Sequence, residues 1–147
     1  LISRSLPNAI KHIFVFFKPT SEEVIKDLLK SSNKLKFLED FKKNAKNIYN
    51  EEITISNSDF LEYYDYIENN VTNYWSVYKE IADIHLKILP ETEAYYALGK
   101  YEEQHTKNYK KALFYYQKGY DLLEDNVSNK TSFQKDIDRV KKLLIKK

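Results

Sequence analysis

Cysteine is absent from this 147-residue chain, which removes disulfides, thiolate nucleophiles and Cys-ligated metals together and leaves the redox compartment undetermined. Methionine is absent too, and the first residue is Leu1, as expected of an excised or processed piece whose targeting segment lies outside these residues. Localisation stays open on this ground, with cytoplasm and bacterial envelope both permitted. Glycine occurs twice and proline three times. Glycine this scarce excludes the G-x-S-x-G, Walker and Rossmann loops that present a nucleophile or cradle a phosphate. The longest apolar run, Ile13 to Phe17, is far shorter than the roughly 18 residues of a spanning helix. Charge of one sign is missing as well: 24 basic and 22 acidic residues leave a net charge of +2. That balance gives no overall footprint for a phosphate backbone, and nucleic acid is not favoured.

What remains is 42% hydrophobic and 31% charged, with the signs interspersed, in a chain the size of one domain. The apolar residues fall mostly at helical spacing. Pro7 suits a first helical turn, with Ile10, Ile13, Phe14 and Phe17 on one side. The alternative is a strand pair, HIFVFF at 12–17 against EEITIS at 51–56. Thr20 to Glu23 has the form of a capping box before the stripe Val24, Ile25, Leu28 and Leu29. Leu35, Leu38, Phe41, Ala45 and Ile48 make the return helix of a hairpin over 20–50. Asn57, Ser58 and Asp59 offer caps for a helix carrying Phe60, Leu61, Tyr64 and Ile67. Its partner, about Thr72 to Leu89, turns Trp75, Tyr78, Ile81, Ala82, His85 and Ile88 inward and stops at Pro90. Two more helices follow, Glu91 to Thr106 and Tyr109 to Glu124. A last one, announced by Asn129, Thr131 and Ser132, carries Phe133, Ile137, Val140 and Leu144 and ends in lysines that complement its dipole.

Both glycines, Gly99 and Gly119, fall inside these helices, where each costs about 1 kcal/mol against alanine. A steric requirement is the natural reason. The stretch from Glu91 resembles a tetratricopeptide repeat, a helical hairpin of roughly 34 residues. Tyr95 stands at its first aromatic position, Leu98 and Gly99 at the Leu-Gly pair, Ala112 at the alanine, Tyr116 at the following aromatic and Gly119 at the second small position. Three features depart from the pattern. The turn is one residue longer, Glu102 occupies the later Tyr position unless Tyr101 takes it by a small rotation, and the terminal proline is missing. Sel1-like repeats, which share the Leu-Gly and Lys-Ala features and have a longer turn, are a close relative. An ordinary antiparallel bundle, its glycines placed by local packing, is the plainer reading.

The resemblance implies an all-α array of antiparallel hairpins in one domain: 20–50, a degenerate repeat over 58–90, a repeat over 91–124 and a capping helix over 129–147. It implies small residues where helices approach most closely, and a groove lined by the first helix of each pair. By analogy Glu93, Tyr96, Lys100 and Glu103 face that groove, with Tyr63 and Tyr66 as counterparts in the preceding pair. Tyrosine is suited to such a face, being amphipathic and losing little rotamer entropy on binding, and this chain has 13. The expectation is a non-catalytic interaction or scaffold module for a protein or peptide partner, with no cofactor and no metal. Membrane association is expected only through segments outside these residues, as in a structural domain of an envelope-associated protein, which is the alternative function. An α+β ligand-binding or enzymatic domain using the two strands is a third.

Other motifs carry less. Glu102 and His105 have the spacing of half a di-iron site, but His12 and His85 have no glutamate three residues earlier to complete it. His105 reads as solvated and His85 as a hydrogen-bonded core or interface histidine. Three glycosylation sequons begin at Asn70, Asn126 and Asn129, as chance produces in an Asn-rich chain. KKLLIKK at the C-terminus combines lysines with apolar residues, a make-up suited to touching an anionic membrane or nucleic acid, and reads first as a solvated helix end.

Overall fold

The computed structural model of the protein describes residues 21–30, 56–124 and 127–146. Among them every regular element is helical and no strand occurs, in agreement with an all-α chain. The helix expected over 7–17, the return helix over 35–48 and, apart from Ser56, the strand alternative lie outside the described residues. The chain divides between Asn69 and Asn70 into two compact units, 1–69 and 70–147. This division falls inside the segment 58–90 that the sequence pattern groups as one hairpin.

In the N-terminal unit, α1 (Ser21–Lys30) buries Val24, Ile25 and Leu28, the stripe its periodicity predicts. α2 (Asn57–Asn70) buries Phe60, Tyr63, Tyr64 and Ile67. Its cap is Ser56, one residue ahead of the expected trio. The Asp59 carboxylate accepts the Ser56 N–H at 2.7 Å and the Ser56 hydroxyl at 3.0 Å, while the Asp59 N–H points back to the Ser56 hydroxyl oxygen at 3.4 Å. This is a capping box with aspartate in the place of glutamate, and it accounts for a buried carboxylate at a helix start.

The C-terminal unit contains α3 (Trp75–Ile88), α4 (Thr92–Tyr101), a π-helical turn (Glu102–Thr106), α5 (Tyr109–Asp121) and α6 (Val127–Ile145). α3 begins after Asn73, whose φ of 54° is in the left-handed region that asparagine tolerates, and ends before Pro90, which has no N–H to continue the ladder. It buries Tyr78, Ile81, Ala82, Ile84 and His85, whereas Trp75 and Ile88 are only half-buried. α5 packs against both α4 and α6. Ala112, Tyr116, Phe133, Ile137 and Val140 form one core cluster, rimmed by Tyr109, Leu113, Tyr120 and Leu123. α6 starts at Val127, two residues before the cap residues that announce it.

The two glycines explain how closely these helices approach. A β-carbon on Gly99 would stand 2.5 Å from the Tyr116 ring, and one on Gly119 would stand 2.7 Å from the Phe133 ring and 3.4 Å from the Thr92 carbonyl oxygen. Gly99 thus lets α5 press against α4, and Gly119 lets α6 press against α5. Thr92 ties the first pair from its other end, its hydroxyl donating to the Gly119 carbonyl at 3.2 Å.

The π turn replaces the last α-helical turn of the expected Glu91–Thr106 helix. It holds one residue more than an α turn. The Thr106 hydroxyl lies 2.6 Å from the Glu102 carboxylate and 3.1 Å from its carbonyl oxygen. Lys107 then takes a left-handed φ of 60°, and the Asn108 N–H donates back to the Glu102 carbonyl at 3.0 Å. Asn108 also opens α5, its side chain accepting the Lys111 N–H at 3.1 Å.

Candidate functional site

α4 carries the groove residues assigned by resemblance. Glu93 and Lys100 are half-buried on it and Tyr96 is 39% exposed. The body of Tyr96 is held by two rings of the core, Tyr116 at 5.9 Å and Phe133 edge-on at 5.6 Å, so its outer edge is presented on a fixed base. Burial, then the charge of Asp136, raises the Tyr96 pKa and keeps the phenol protonated. The Lys100 ammonium stands 5.9 Å over the Tyr78 ring. Tyr63 and Tyr66 lie on α2 in the other unit, Tyr63 buried and Tyr66 half-buried; burial, then Asp59, pushes the Tyr63 phenol up as well.

Glu103 is placed differently from the other three. It is buried in the π turn, where Arg139 of α6 grips it with two bonds, Nε to Oε2 and Nη2 to Oε1, both at 2.7 Å. The Tyr116 hydroxyl donates to Oε1 at 2.9 Å. The Arg139 guanidinium, with help from the Tyr116 hydroxyl, holds this carboxyl below the usual carboxylate range although burial opposes it. Arg139 reaches Asp136 too, at 2.9 Å. The sequence pattern put Glu103 in the groove and gave Asp136 and Arg139 no part. A signal existed: Arg139 is one of two arginines in a chain that otherwise uses lysine, and only arginine offers a planar fork matched to a carboxylate. Arg139 keeps a half-exposed side chain, so the α6 side of this face adds a guanidinium and a carboxylate to Tyr96 and Lys100.

A second cluster lines the contact of α3 with α4. Trp75 meets Tyr78 at 5.0 Å, Tyr101 at 5.9 Å and His105 at 5.6 Å, the last pair nearly parallel at 24°. Lys79 caps Tyr101 at 5.8 Å and pairs with Asp83 at 2.7 Å. His105 is exposed, as expected, but rests on an indole face. Glu102 and His105 part company: the first is buried and bound to Thr106, the second points to Trp75. Among the described residues no group of three potential metal ligands occurs. His85 is fully buried, and burial lowers its pKa from 6.5 to about 4, so it is neutral at physiological pH. No buried polar side-chain atom among the described residues lacks a hydrogen-bond partner.

Compared with known proteins, the chain matches no family model, no curated protein and no solved structure.

Proposed function

We propose that the C-terminal unit is a TPR-like hairpin module, with α6 as its capping helix, that binds a protein or peptide partner across the face of α4. The observation that carries this reading is Tyr96: a large aromatic side chain, 39% exposed, whose base is fixed by Tyr116 and Phe133 and whose surroundings offer Lys100, Arg139 and Asp136. A rigid aromatic anchor beside charged groups is the make-up of a binding hot spot, because little side-chain entropy remains to be lost. The glycine contacts support the TPR-like part, since Gly99 and Gly119 each sit where a side chain would run into a ring of the facing helix, as the repeat pattern expects of its small positions. The electrostatics support binding over proton transfer. Glu103 is pushed down, Tyr96 and Tyr116 are pushed up and His85 sits at about 4, all away from the values that suit acid–base work at neutral pH. Glu103 joins the proposed face indirectly, by setting the position of Arg139.

The test is affinity capture from the source lysate, with bound proteins identified by mass spectrometry and then titrated in purified form. Wild-type chain is compared with Lys100→Glu and with the Tyr96→Ala, Lys100→Glu double variant. The expected outcome is a partner held by wild type, weakened by the single substitution and lost with the double one. Because Tyr96 packs on two core rings, melting curves accompany the capture; Lys100→Glu leaves that packing intact. Equal capture by all three proteins sinks the reading.

A further inference from the structure

The connections within the C-terminal unit bring two separate stretches of lysine to one end. Arg139 on Glu103 fixes the level of α6 against the π turn, and Val140 belongs to the same core cluster as Ala112 of α5. The residues that follow on α6 therefore lie beside the turn and the start of α5. Lys107, Lys110 and Lys111 on one side, and Lys141, Lys142 and Lys146 on the other, are all exposed. None makes an ion pair with a described carboxylate. The carboxylates nearby are occupied: Glu102 by Thr106, Glu103 by Arg139, and Asp138 by the Gln134 amide at 2.9 Å. At the opposite end of the unit the signs are mixed, with Glu91, Asp121 and Glu124 among Lys87, Lys118 and Lys130. Exposed positive charge that forms no ion pair among the described residues is thus gathered at one end of the unit.

Folding accounts for only half of this patch. Lys141, Lys142 and Lys146 lie at the C-terminus of α6, where cations complement the helix dipole. Lys110 and Lys111 lie in the first turn of α5, which has no acidic residue; there the dipole opposes them, and so do the lysines of α6. Local preference is broken without an ion-pair partner among the described residues, as expected of lysines that serve a contact outside the protein. In the midst of the patch Ile145 is 81% exposed, an apolar tip with lysines before and after it.

We propose that this end of the C-terminal unit docks on an anionic membrane surface, the lysines facing lipid headgroups and Ile145 entering the interface. Exposed lysines around an apolar tip match a bilayer surface in both respects, whereas a nucleic acid offers nothing for Ile145. The contact is made by the chain's own residues, in contrast to the expectation that membrane association comes only from outside them, and it is independent of the α4 face.

The 147-residue chain is sedimented with vesicles of equal parts phosphatidylglycerol and phosphatidylcholine, and with phosphatidylcholine alone. Binding is expected to the mixed vesicles only and to fall as salt is raised toward about 0.15 M. Lys110→Glu with Lys111→Glu should weaken it by about tenfold or more, and Ile145→Ser by less. The same charge reversal places acids at a helix N-terminus and should raise the melting temperature, so lost binding will not be lost fold; Lys110→Gln with Lys111→Gln is the milder second variant. Equal binding to both vesicle types, or unchanged binding of both lysine variants, overturns the proposal. So does preference for a short DNA duplex over the vesicles with no effect of Ile145→Ser.

Discussion

Two seams of the C-terminal unit are built on opposite plans. Where α4, α5 and α6 meet, glycine or alanine stands opposite an aromatic ring: Gly99 under Tyr116, Gly119 under Phe133, with Ala112 in the same cluster. Tyr116 and Phe133 are buried in consequence. Where α3 meets α4 no glycine is present, and Trp75, Tyr101 and His105 stack along the rim, half-buried or exposed. The difference is one of available depth. Tyr116 and Phe133 lie deep because the position facing each gives up its side chain, whereas Trp75, Tyr101 and His105 lie across the edge and keep part of their surface in water; Tyr78, buried beside them on α3, reaches its depth without a facing glycine.

Substitutions that fill the deep seam should break the contrast most. Gly99→Leu and Gly119→Leu are each expected to destabilise by roughly 3 kcal/mol or more through overpacking, measured by urea denaturation. The alanine variants sharpen the point. Tyr116 is fully buried and its hydroxyl is tied to Glu103, so it has no room to yield, whereas the Gly119 contact is with the far end of the Phe133 ring. Gly99→Ala should therefore cost more than Gly119→Ala, although both gain about 1 kcal/mol in helix propensity. Equal effects would count against depth as the explanation.

The buried histidine of α3 makes the stability of the unit depend on pH. His85 has its pKa lowered to about 4 by burial, so the unfolded chain takes up a proton that the folded chain refuses. Stability is complete above about 6.5 and falls as pH drops from there toward 4, by roughly 3 kcal/mol at most. Glu103, depressed by Arg139, adds a loss in the same direction once pH passes below the usual carboxylate range. Denaturation midpoints across pH 4 to 8 should show this slope, and His85→Leu should flatten its upper part.

The smallest effect belongs to the rim. His105→Ala removes a ring stacked on an exposed edge and should cost under about 1 kcal/mol. Trp75 is the single tryptophan, so its emission reports the contact directly. A shift in that emission with little change in midpoint is expected; a loss comparable to that of Gly99→Leu would mean the rim supports the fold as much as the deep seam does.

Much of the deep seam was legible beforehand. Two glycines in otherwise helical segments of a glycine-poor chain already signal a close approach, and Phe133, Ile137 and Val140 at helical spacing give the buried face of α6. The rim was less legible. Trp75 lies on the inward stripe of α3 by periodicity, but periodicity gives a direction and not a depth, and its partner His105 is thirty residues away. The candidate face divides in the same manner. Glu93, Tyr96 and Lys100 follow from helical spacing along α4, while Glu103 departs because a π turn begins at Glu102 and brings the side chain within reach of Arg139.

By itself the sequence determined that the described chain is helical, roughly where its described helices begin and end, and which two positions point to a close helix contact. These are consequences of local periodicity, capping and backbone freedom. Only the tertiary structure decided that Glu103 is held by an arginine thirty-six residues away, and that lysines from two distant stretches share one end. Both depend on the level at which one helix stops against another, and that level is set by the summed packing of the core between them.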